Sequence, residues 1–116
     1  MNDKFLSFLG LAKKSGNLTL GMDAVKEGIT KKNINLVLTA SDVSDSSFEK
    51  INLFCEKNNV KTLKISYTMD DIYFLVNKRS GILGIKDANF AKKITSMIEE
   101  NSNQTKKHQH KEELHG

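Results

Sequence analysis

The 116 residues include one cysteine, no proline and no tryptophan. Cys55 has no partner in the chain, so a disulfide scaffold is excluded, a reducing compartment fits, and a lone thiol supplies no metal cluster. No histidine precedes His108; the other two are His110 and His115. The body therefore lacks the commonest general base, which argues against Ser-His or Cys-His catalysis. Gly16 and Gly21 stand at the spacing of a phosphate-binding P-loop. Met22 and Asp23 occupy the places where Lys and Ser/Thr would meet phosphate and magnesium, so a nucleoside triphosphatase is excluded, and no G-x-G-x-x-G run occurs. No apolar stretch is long enough to cross a bilayer. The best candidate, residues 5–12, follows Asp3 and Lys4 and runs into Lys13 and Lys14 without a cleavage pattern. It is read as an amphipathic first helix of a cytoplasmic protein.

What is present is one soluble domain's worth of chain, 38% apolar and 28% charged, with a formal net charge of +4. Residues 1–32 and 76–93 are basic and residues 42–71 are acidic. The two basic segments could meet on one face of the fold or be ordinary solvated faces.

Apolar spacing alternates between helix and strand. Phe5, Leu6, Phe8, Leu9 and Ala12 recur at helical spacing until Gly16, and Leu18 and Leu20 alternate as a short strand. Gly21 opens a second helix through Val25 to about Thr30. Ile34 with Leu36, Val37 and Leu38 is a continuous run, which predicts a strand covered on both faces. Phe48, Ile51, Phe54 and Cys55 share a third helical face that ends at Asn58 and Asn59, so Cys55 is read as a core residue. Val60, Leu63 and Ile65 form a strand, and Thr68 with Asp71 resembles a capping box opening a helix with Ile72, Leu75 and Val76 inward. Asp70 and Asp71 are accordingly read as helix-start carboxylates rather than an acid–base pair. Residues 81–85 form the last strand, with Gly81 and Gly84 allowing a close backbone or relieving a bend. Asn89 is expected to cap a final helix carrying Phe90, Ile94, Met97 and Ile98. Residues 101–116 hold one Leu in sixteen positions. That composition predicts a disordered polar tail behind a domain of residues 1–100, whose histidines have no fixed geometry for metal. The element order places helices on both faces of a sheet of about four strands.

Three places suit an anionic or polar ligand. Gly21, Met22 and Asp23 open a helix with free backbone N–H groups. Thr39, Ala40, Ser41 and Asp42 follow a buried strand, and ligands favour the carboxyl ends of strands in such sheets. Asn77, Lys78, Arg79 and Ser80 supply two cations ahead of the last strand. Each alone is equally an ordinary turn.

Stretches 9–21 (LGLAKKSGNLTLG), 36–44 (LVLTASDVS) and 84–94 (GIKDANFAKKI), with Ala24, Val25 and Ile29, resemble the YlxQ-type bacterial proteins of the kink-turn-binding ribosomal-protein superfamily. The resemblance spans about residues 4–98. It implies an α/β fold, a three-layer α/β/α sandwich with a central mixed sheet, and non-enzymatic binding of structured RNA, ribosomal or kink-turn-like, without a cofactor. It also implies RNA contacts at Gly21, Met22, Asp23 and Lys26, at Ala40, Ser41 and Asp42, and between Ile65 and Met69, including Tyr67 and Thr68. Lys13, Lys14, Lys78 and Arg79 are expected to add phosphate contacts.

Strong kink-turn binders of that superfamily carry Asn-Glu shortly after the glycine and a Lys one turn on. Asp23, Ala24 and Glu27 stand there instead. Asp cannot donate as Asn does, Ala24 offers no acceptor, and Glu27 repels phosphate. The fold and general RNA binding are therefore expected ahead of kink-turn specificity. A monomer is favoured, and the rival expectation is a protein-interaction module on the same fold that has lost its RNA specificity.

Overall fold

The computed structural model describes residues 3–99, in which five helices surround a four-stranded sheet. In chain order the elements are α1 (Lys4–Lys14), β1 (Leu18–Leu20), α2 (Met22–Thr30), β2 (Leu36–Thr39), α3 (Asp45–Lys57), β3 (Lys61–Lys64), α4 (Met69–Val76) and β4 (Ile82–Ile85). A final helix, α5, covers residues 88–99. The expected tail lies outside the described residues, and no helix among those described is long and apolar enough to cross a membrane.

The sheet is mixed, with strand order β1-β4-β2-β3. β4 pairs antiparallel with both β1 and β2, while β2 pairs parallel with β3. β1, β2 and β3 therefore all run one way and β4 runs against them. At one end of the sheet Leu18, Ile85, Leu36 and Lys61 stand in register; at the other, Leu20 pairs with Leu83, and Thr39 pairs with both Ile82 and Lys64. The carboxyl ends of three strands and the start of β4 thus share one end.

Two cores explain why β2 and β4 read as continuous apolar runs. Leu36, Leu38, Leu83 and Ile85 face a cluster built with Phe5 and Leu9 of α1, Ile72 and Val76 of α4 and Ile94 of α5. Val37 and Ile82 face the opposite cluster with Val25 and Ile29 of α2 and Ile51 and Cys55 of α3. Both central strands are buried at every position, as a strand covered on two faces must be. Burial pushes the Cys55 thiol pKa up, consistent with a packing role. The edge strand β3 exposes Lys61 and Lys64, and charge on an edge discourages pairing with another chain.

Two local expectations are corrected. Asn89 does not cap α5; the Phe90 N–H donates to Asp87 Oδ2 at 3.0 Å, so the cap is two residues earlier. At Gly81 and Gly84, where a close backbone or a relieved bend is the expectation, the nearest atoms belong to side chains. A Cβ on Gly84 would lie 2.9 Å from Ile34 Cδ1 and 3.3 Å from Val25 Cγ2, and one on Gly81 would lie 3.1 Å from Val43 Cγ2 and 3.3 Å from Met69 Sδ.

Candidate functional site

Four loops converge at the end of the sheet where β1, β2 and β3 finish, and backbone hydrogen bonds tie them together. The Gly21 N–H donates to the Ile82 carbonyl at 3.0 Å, and the Ala40 N–H donates to the Gly81 carbonyl at 2.9 Å. The Ile65 N–H donates to the Thr39 carbonyl at 2.9 Å and the Ser41 N–H to the Tyr67 carbonyl at 2.8 Å. Asp42 Oδ1 accepts the Met69 N–H at 2.9 Å. The loops after β1, β2 and β3 and the loop before β4 therefore form one fixed platform, whose side chains are mostly short.

The start of α2 is the open part of that platform. Gly21 is the N-cap, with φ 101° and ψ 150°, and no side chain accepts a hydrogen bond from the first turn. An L-residue is strained at this φ, so glycine is required by the backbone although a Cβ would meet nothing within 4 Å. The amides of the first turn are left for an external acceptor, and the positive end of the helix favours one. Asp23 lies exposed in the first turn. Lys26 is drawn towards α3, its Nζ 5.2 Å from the centre of the Phe54 ring. Glu27 Oε2 pairs with Lys31 Nζ at 2.9 Å, one turn further from the helix start, so part of the repulsion expected from Glu27 is neutralised.

Tyr67 and Thr68 are tied to their surroundings. Tyr67 stacks on Phe5 with ring centres 5.2 Å apart and planes 2° apart, and its hydroxyl donates to Asp3 Oδ2 at 2.6 Å. The same carboxylate accepts the Leu6 N–H through Oδ1 at 3.0 Å, capping α1. The phenol's hydrogen bond, then the Leu6 amide, hold the Asp3 carboxyl below its ordinary pKa; burial, then Asp3 itself, push Tyr67 up to about 12. Thr68 Oγ1 accepts the Asp71 N–H while the Asp71 carboxylate accepts the Thr68 N–H, a complete capping box on α4. Arg79 pairs with Asp70, which directs one of the loop cations onto α4. Lys78 is exposed beside it.

Eleven of the expected contact residues are thus brought to one end of the molecule: Gly21, Met22, Asp23 and Lys26 on α2, Ala40 to Asp42 after β2, Tyr67 and Thr68 after β3, and Lys78 and Arg79 before β4. Lys13 and Lys14 are not. They are the last residues of α1, whose first turn is at the platform through Asp3, and the helix runs about 16 Å to the other end of the sheet. Asp3 and Gly81 also shape the platform. Asp3 fixes Tyr67, and Gly81 leaves room for Val43 and Met69. Asp3 carries a readable cap signal, three residues before Leu6, but nothing in the sequence joins it to a tyrosine 64 positions away.

The same fold recurs in known proteins. The model of the ribosomal protein L7Ae/L30e/S12e/Gadd45 family matches residues 3–95. The chain is 26% identical over 96 residues to the RNA-binding protein YlxQ of Enterococcus faecium, covering 83% of this chain and 92% of that one. Among solved structures, a Bacillus halodurans protein of unknown function superposes with a TM-score of 0.78 at 24% identity, covering 84% of this chain and 99% of that one. The Giardia lamblia 15.5kD RNA binding protein superposes with a TM-score of 0.67 at 16% identity, covering 85% and 91% respectively. These two likenesses are of fold.

Proposed function

Because the chain belongs to the ribosomal protein L7Ae/L30e/S12e/Gadd45 family, we propose that it binds structured RNA without catalysis, through the end of the sheet that carries the open start of α2. The observation that carries this reading is the uncapped, glycine-led first turn of α2, hydrogen-bonded into a platform of short side chains. A folded RNA exposes base edges and crowds phosphates where it bends, and a rigid surface with free amides can read that shape. Ala40 and Ser41 permit close approach. Lys26, Lys78 and Arg79 supply phosphate contacts at the rim, Arg79 with Asp70 beside it. In this reading the chain acts as a cytoplasmic monomer on ribosomal or kink-turn-like RNA and needs no cofactor. Asp23 and Ala24 weaken guanine-edge recognition, so preference for a kink-turn is smaller than general affinity for bent RNA.

Fluorescence anisotropy tests this with a kink-turn hairpin, the same hairpin with its sheared G·A pairs replaced, and a plain duplex. Tighter binding to either hairpin than to the duplex is expected, with affinity falling as salt rises. Equal weak binding to all three would refute shape recognition. A docking role for protein partners has one observation in its favour: Phe74 on α4 is 82% exposed beside Tyr73. Its signature is a partner retained on the protein after nuclease treatment and released by Phe74→Ser.

A further inference from the structure

The opposite end of the sheet is the richer in unpaired cations among the described residues. The chain delivers the ends of α1, α2 and α3 there, the start of β3, and the exit from β4. Lys13, Lys14, Lys32, Lys57, Lys86 and Lys92 lie at this end and are all exposed. None of the six pairs with a carboxylate among the described residues.

The acids nearby are mostly engaged. Glu27 holds Lys31, Glu99 holds Lys61 at 3.0 Å, and Asp87 caps α5; Glu56 at the end of α3 remains. At the platform end, by contrast, Asp3, Asp23, Asp42, Asp45, Asp70 and Asp71 offset Lys4, Lys26, Lys64, Lys78 and Arg79.

Helix dipoles account for part of this. Lys14 and Lys57 sit in the last turns of α1 and α3, where a cation is favourable. They do not account for Lys86, which stands just before α5, where a cation opposes the dipole. Lys92 belongs to a shallow cleft of ≈ 400 Å³ whose other polar lining is Asn35, Thr95, Ser96 and Glu99, the last paired with Lys61. That cleft offers amide and hydroxyl groups next to the lysines. The cations also spread along the sheet from the β1 edge to the β3 edge, about 14 Å for three strand spacings. Such a row suits a line of phosphates better than one small anion.

We infer that this end of the sheet is a second, sequence-independent surface for the RNA phosphate backbone, engaged by RNA that extends beyond the element held at the platform. The identity of the polyanion rests on the proposed function; the position of the surface does not. The two ends then play different parts. Short side chains and open amides read shape at the platform, and unpaired lysines about 16 Å away along α1 supply attraction.

The test compares the hairpin with the same hairpin extended by about one helical turn, each titrated with the wild-type chain and with a Lys32→Gln, Lys86→Gln, Lys92→Gln variant checked for folding by its thermal melt. The wild type is expected to bind the longer RNA about tenfold more tightly at about 50 mM salt, with a steeper dependence on salt. The variant is expected to lose that advantage, its salt slope falling by about two, while binding the short hairpin as the wild type does. A variant that binds the long RNA as tightly as the wild type, or that loses both RNAs equally, would overturn the inference. Binding of neither RNA by the wild type would overturn the proposed function and the inference together. Capture of the wild type alone by anionic phosphatidylglycerol vesicles, with no preference for the longer RNA, would assign the lysines to a membrane and overturn it too.

Discussion

Helices α2 and α4 both begin at the platform end of the sheet, on opposite faces, and are finished in opposite ways. The first turn of α4 is saturated: Thr68 and Asp71 exchange capping hydrogen bonds, Asp42 takes the Met69 N–H from across the loop, and Asp70 holds Arg79. The first turn of α2 has Gly21 and no side-chain acceptor. A saturated start contributes stability and has nothing left to offer a ligand. A glycine start gives up only about a few tenths of a kcal/mol of capping energy and keeps its amides for an outside acceptor. In the proposed function this difference assigns recognition to α2 and loop rigidity to α4, although both stand at the same end of one sheet.

The comparison breaks most severely at Gly21. Gly21→Val forces a β-branched residue to φ 101°, a strain of about 1–3 kcal/mol. Thermal denaturation should show a loss of at least several degrees. At a temperature where circular dichroism shows both proteins folded, RNA affinity should fall about tenfold or more, because the α2 amides can no longer keep their direction. The matching change on α4, Asp71→Ala, removes half of the capping box and should cost about 1 kcal/mol, or about 4–8 °C in Tm. RNA affinity in that variant should hold or rise, since a negative charge has gone. If Asp71→Ala cost as much binding as Gly21→Val, the division between the two helix starts would be wrong.

Tyr67→Phe sharpens the comparison through pH. The folded-state pKa of Tyr67 is raised, so its contribution to stability is complete below about pH 10 and is lost as pH rises towards about 12. The folded-state pKa of Asp3 is lowered, so its contribution is present above the ordinary carboxylate value and is lost as pH falls through the lowered one. The stability gap between wild type and Tyr67→Phe, about 1 kcal/mol, should therefore be flat across neutral pH and narrow at both extremes in urea titrations. A gap independent of pH would mean that the hydroxyl–carboxylate bond contributes nothing. The smallest effect is expected from Asp23→Asn, which removes a carboxylate from the open helix start and adds a donor. Affinity for the kink-turn hairpin should rise about two- to fivefold by anisotropy, with stability nearly unchanged.

Much of this arrangement was legible in the sequence because it rests on local signals. The continuous run at Leu36, Val37 and Leu38 reads as a doubly covered strand and is one. The Thr68–Asp71 spacing reads as a capping box, and both of its hydrogen bonds are present. Gly21 reads as a helix start, and its positive φ explains why it is glycine. What could not be read depends on which strand ends meet. Lys13 and Lys14 lie close in sequence to Gly21, yet β1 carries the chain from one end of the sheet to the other between them, so they stand apart from the platform. The Asp3–Tyr67 bond and the Asp42–Met69 bond cross between loops and leave no periodic trace. The cap of α5 falls on Asp87 rather than Asn89; both are good cap residues, and only the backbone decides between them.

A 15N–1H NMR titration of the chain with the kink-turn hairpin tests recognition at the open start of α2. The amide signals of Met22, Asp23 and Ala24 should shift or broaden first, with those of Ala40 and Ser41, while the Asp70 and Asp71 amides on the capped start of α4 stay near their free positions. Movement at Asp70 and Asp71 with the α2 amides unchanged would place recognition on the wrong helix and contradict the account.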